Sequence, residues 1–84
     1  MNIKELLGTG SVIRNHSMSY VVISHVMNDS GNSDVIWLAQ ENTNTFVTAQ
    51  NLNREQDGNY TWDSERRYSD SEDSVNDFIQ RRLG

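Results

Sequence analysis

From Ser11 to Gln50 the chain alternates apolar, β-branched runs with short polar turns, and this rhythm constrains the fold more than any other feature. Val12-Ile13 is a short strand closed by Asn15-His16-Ser17. Met18 to Met27 holds Tyr20, Val21, Val22, Ile23 and Val26, which suit a pleated surface. The polar run Asn28 to Asp34, with Gly31 at its centre, then leads into Val35-Ile36-Trp37-Leu38-Ala39, so a hairpin is expected. Glu41-Asn42-Thr43-Asn44 is again turn chemistry before Thr45 to Ala49, where alternation puts Phe46 and Thr48 on one face and Val47 on the other. Three or four strands with short loops read as an antiparallel meander.

The flanks are less regular. Asn2 to Leu7 carries Ile3, Leu6 and Leu7 at helical spacing and reads as one or two helical turns, stopped by Gly8-Thr9-Gly10. No further glycine, lysine or following helix makes that stop a phosphate-binding loop. After the turn Asp57-Gly58-Asn59, a further strand or extended edge is expected, with Tyr60, Trp62 and Tyr68 on one face if it is unbroken. The end is helical. Ser69 and Glu72 have capping-box spacing, with Ser71 a competing N-cap, and Val75, Phe78, Ile79 and Leu83 form one apolar stripe. A helix this short is marginal alone and must pack on the sheet. The expected fold class is therefore α+β in a single domain over residues 1–84. It is a small antiparallel sheet of four to five strands, a meander or bent half-barrel, with the C-terminal amphipathic helix packed on one face.

Composition removes several function classes. The 84 residues include no cysteine, which excludes disulfides, thiolate zinc sites and cysteine nucleophiles. No apolar stretch approaches the ~20 residues of a membrane span, and the N-terminus has no secretory h-region, so a cytoplasmic location is expected. His16 and His25 lack metal-ligand spacing. The Asn28–Asp34 loop alternates oxygen ligands but fails the calcium-loop order. The carboxylates cluster locally, without a cleft for paired acid–base work on a sugar. No enzyme, metal or cofactor is expected.

Charge carries the functional signal. The net charge is −5, yet Glu55 to Asp77 alone holds eight carboxylates against Arg66 and Arg67, a local −6. Aromatics beside arginines can stack single-stranded bases, but this field repels a phosphate backbone. A solvated, solubilising surface accounts for such acids without any partner. The functional reading is a carboxylate array that mimics phosphates and enters the basic groove of a host or phage protein. Its candidate residues are Asp57, Asp63, Glu65, Asp70, Glu72, Asp73 and Asp77, with Tyr60 and Trp62. Asp77 is the cleanest test because it lies off the apolar stripe. The competing expectation is a structural module that homo-oligomerises or docks through a β-edge or an exposed Trp/Tyr face.

The short N-terminal segment, Gly8-Thr9-Gly10, strands ending in runs such as Asn59-Tyr60-Thr61-Trp62-Asp63, and the acidic C-terminal helix give the chain a general style. In that style it resembles the small β-rich acidic proteins encoded by phages and prophages of Gram-positive bacteria. The resemblance covers most of the chain and implies a non-catalytic binding role. Some such proteins are anti-CRISPR or other anti-defence inhibitors whose carboxylates occupy nucleic-acid channels.

Overall fold

The computed structural model describes residues 5–84. Five strands follow one another: β1 (Val12–Asn15), β2 (Met18–Met27), β3 (Asp34–Gln40), β4 (Phe46–Arg54) and β5 (Tyr60–Tyr68), followed by helix α1 (Ser71–Leu83). They form one sheet in sequence order, every neighbouring pair antiparallel. The sheet curls into a half-barrel far enough for its two edge strands to meet at one point, where Asn15 Nδ2 donates to the Tyr60 carbonyl at 2.7 Å.

Curling divides the side chains into two layers. Ile13, Tyr20, Val22, Ile36, Leu38, Val47, Ala49 and Leu52 fill the concave side, with Leu7, Tyr60 and Trp62 packed against them. The register places Trp37 opposite Thr48, and Thr48 opposite Arg66, so these three project from the other side. There α1 lies against the sheet. Trp37 stacks on Phe78 with ring centroids 5.6 Å apart, and Trp37 Nε1 donates to the buried Ser74 Oγ at 2.9 Å.

Three departures from the sequence reading have local causes. Glu5 to Leu7 is not helical, and the rest of the expected opening helix lies outside the described residues. Instead Leu7 N–H donates to His25 Nδ1 at 3.0 Å, which ties the segment to the sheet. Second, the ladder of β4 and β5 shifts register between Thr48 and Asn53, and Asn51 (φ 58°) and Ser64 (φ 56°) adopt left-handed backbone. An extra residue reverses the facing of everything beyond it. Trp62 therefore packs into the concave core, whereas Tyr68, paired with Phe46, joins the helix side. Third, the N-cap is Asp70, whose Oδ1 accepts the Glu72 N–H at 2.8 Å, rather than Ser69 or Ser71.

The helix is also rotated from the expected stripe. Ser74 and Phe78 are its buried residues, while Ile79 and Leu83 are 44% and 64% exposed. Ser74, Asp77, Phe78 and Arg81, at i, i+3, i+4 and i+7, make the contacts with the sheet. Polar partners on the strands decide this face: Trp37 Nε1, Thr48 Oγ1 and Gln50 Oε1 each meet a hydrogen-bonding group of the helix. In the Asn28–Asp34 loop the buried Asn28 side chain organises the turn. Asn28 Oδ1 accepts from Ser30 Oγ–H and from the Asn32 and Ser33 N–H groups.

Candidate binding surfaces

The candidate carboxylates do not share one environment. Asp77 is a structural hub. Its side chain is 9% exposed, pairs with Arg81 Nε at 3.2 Å and Arg66 Nη1 at 3.1 Å, and accepts Thr48 Oγ1–H at 2.6 Å. Burial raises its proton affinity, but the Thr48 and Tyr68 hydroxyls and the Arg81 charge outweigh that, holding the carboxyl below its usual range. The expectation that Asp77 is an open binding residue is corrected: helical position alone placed it off the apolar stripe, and the sheet supplies polar partners there.

Glu65 is also engaged. It pairs with Arg67 Nε at 2.9 Å and accepts Trp62 Nε1–H at 2.8 Å. Arg67 in turn donates to Tyr20 Oη at 2.8 Å and Gln40 Oε1 at 2.7 Å, so this group braces the rim of the concave core. Asp63 is exposed, with Asn51 Nδ2 at 3.5 Å. Trp62 meets Tyr20 edge-on at 5.2 Å, and Tyr60 is half-buried against the same core. Both rings pack against the core and remain partly exposed.

Asp57 stands apart. It lies in the β4–β5 turn, where Asn59 N–H (2.9 Å) and Asn59 Nδ2 (3.0 Å) both donate to it. Those bonds, the backbone one first, lower its pKa, with a smaller contribution from His16. Asp70, Glu72 and Asp73 lie beyond the far end of β5. Nine strand residues at ~3.3 Å each separate the two groups by up to roughly 30 Å. The array expected as one surface is thus split between the two ends of a strand.

One end keeps an acidic set with which no arginine pairs among the described residues. Asp70, Glu72 and Asp73 are all exposed around the start of α1. Glu41 lies at the same end, because β3 finishes at Gln40 and the next strand begins with Phe46, the partner of Tyr68. Among the described residues no arginine pairs with these four, since Arg66, Arg67 and Arg81 are committed to Asp77 and Glu65.

The sequence reading did not single out the couple His25–Asp34. His25 and Asp34 side chains are 0% and 3% exposed, with His25 Nε2 2.7 Å from Asp34 Oδ2. Leu7 N–H occupies Nδ1, so the proton sits on Nε2 and is donated to the carboxylate. The same Asp34 oxygen accepts the Leu52 N–H at 3.1 Å. The couple joins the N-terminal segment, β2, β3 and β4 in one buried network. It is a clasp, with neither ring nitrogen left to meet a substrate. Among the described residues no three histidine, aspartate or glutamate side chains converge as a metal site would require, and no helix is long and apolar enough to cross a membrane. No protein-family model matches the sequence, and neither a curated protein nor a solved structure shows significant similarity to it.

Proposed function

We propose that the protein is a non-catalytic binding domain that sets its acidic end against a basic, nucleic-acid-handling surface of a partner protein in the cytosol. Glu41, Asp70, Glu72 and Asp73 are the contacting groups. The observation that carries the reading is the internal commitment of the nearby guanidinium groups to Asp77 and Glu65, which leaves those four carboxylates without a compensating arginine among the described residues. Exposed like charges of this kind steer association with a cationic surface and compete with phosphates for it. The resemblance to phage-encoded acidic proteins makes an anti-defence inhibitor, of the anti-CRISPR kind, the form this role takes. Pairing through the β5 edge is opposed by the left-handed Ser64 and by Asp63, Glu65, Arg66 and Arg67 along that strand.

The test is displacement of a labelled oligonucleotide from a panel of nucleic-acid-binding proteins of Gram-positive bacteria. Displacement should occur with at least one of them, weaken steeply from 50 to ~300 mM salt, and be lost in the Glu72→Gln/Asp73→Asn variant. Displacement that survives this neutralisation, or none across the panel, overturns the reading.

A further inference from the structure

The groove at the seam of the half-barrel, between β1 and the β4–β5 turn, has the opposite character to the acidic end. It measures about 540 Å³, and its walls include Val12, Arg14, His16, Arg54, Asp57 and Tyr60. That is room for a small molecule of mononucleotide size. In a chain of net charge −5, two of the six arginines line this one groove. Among the described residues neither Arg14 nor Arg54 enters an ion pair or side-chain hydrogen bond, whereas Arg66, Arg67 and Arg81 all do. The groove is lined mainly by polar groups, and Val12, which is 60% exposed, and the half-buried Tyr60 are among its few apolar side chains.

We propose that this groove binds a small phosphate monoester with a flat apolar body, the phosphate between Arg14 and Arg54 and the body against Val12 and Tyr60. A dianion is favoured over a single carboxylate because two arginines without an ion pair line the groove, and each guanidinium can offer a forked pair of donors. A phosphate monoester carries between one and a half and two negative charges at neutral pH and has enough oxygens for both. His16 adds a further donor on the same wall. Asp57 opposes the ligand by its charge, although its oxygens are turned onto Asn59. The inference goes beyond the acidic-end reading and shares no residue with it.

The experiment is an NMR titration of the full chain with adenosine monophosphate, adenosine and inorganic phosphate, each at ~150 mM salt. The expected result is saturable shifts at Val12, His16 and Tyr60 with the monophosphate, weaker binding of inorganic phosphate, and none of adenosine. Arg14→Gln and Arg54→Gln should each weaken the monophosphate about tenfold or more. Neither arginine holds another side chain, so both variants should keep the wild-type spectrum elsewhere. Asp57→Asn should tighten binding by removing a repulsion. Non-saturating shifts spread over all the arginines, or affinity unchanged in both arginine variants, overturn the proposal. Equal affinity for inorganic phosphate and the monophosphate overturns the apolar half of it.

Discussion

The Asp77 carboxylate of α1 accepts the Thr48 hydroxyl of β4 at 2.6 Å, across 29 residues of sequence, while Arg81 one turn further along the helix pairs with the same oxygen at 3.2 Å. Arg81 also donates to Gln50 Oε1 and to the Ser64 carbonyl. Docking of the helix is therefore polar as much as apolar, with Phe78 on Trp37 as its main hydrophobic contact.

Asp77→Asn leaves a neutral amide between two guanidinium groups, one of them the little-exposed Arg81. Breaking such a pair from one side should cost about 2 kcal/mol or more. Denaturant unfolding should show a lower midpoint, without the loss of secondary structure that detachment of the whole helix would bring.

The same residue sets an acid limb. Its folded pKa lies below the unfolded value, so its stabilisation is complete above the ordinary aspartate value near 4 and fades as pH falls through the lowered folded one. Wild-type stability should drop on acidification through that window, and the drop should be shallower in Asp77→Asn. Urea melts at a series of acid pH values measure it.

Ser74→Ala strands the Trp37 indole N–H, because Ser74 Oγ is its acceptor and is fully buried. The expected loss is about 1–2 kcal/mol. A shift of tryptophan fluorescence should accompany it, since Trp62 keeps its own acceptor, Glu65.

His25→Phe removes a donor to Asp34 and the acceptor of Leu7 N–H while keeping an apolar ring in the core. A buried carboxylate without that partner should cost about 3 kcal/mol. Hydrogen exchange at the Leu7 amide should accelerate more than exchange at the centre of β3, marking release of the N-terminal segment.

Ser64 sits at φ 56° without being glycine. Ser64→Gly should be neutral or stabilising, and Ser64→Val destabilising by about 1 kcal/mol or more through left-handed strain. Thermal unfolding of the pair gives the sign directly.

The meander and the helix were legible because β-branched runs, turn residues and the charge polarity of α1 are local signals. Strands β2 and β3 lie almost where Tyr20–Val26 and Val35–Ala39 place them. The register shifts were not legible, since one inserted residue such as Ile23 or Ser64 leaves no mark in composition yet reverses the facing of all that follows. Through those shifts Trp62 and Tyr68 part company, and His25 turns inward to meet Asp34. The helix face was misread for a related reason: Ser74 and Asp77 look solvent-facing until Trp37 and Thr48 are known to lie opposite. The acidic excess was legible as a count, but its division between internal pairs and an open end depends on where Arg66, Arg67 and Arg81 reach.

That division is tested most directly by setting Asp77→Asn beside Glu72→Gln/Asp73→Asn and measuring, for each, thermal unfolding and oligonucleotide displacement from the same basic partner. The account predicts that the first variant loses stability while still displacing the oligonucleotide below its melting temperature. The second should lose less stability than the first, only the modest contribution of two first-turn carboxylates to the helix start, and no longer displace. The reverse pattern, with the helix-start variant fully active and folded Asp77→Asn inactive, would contradict it.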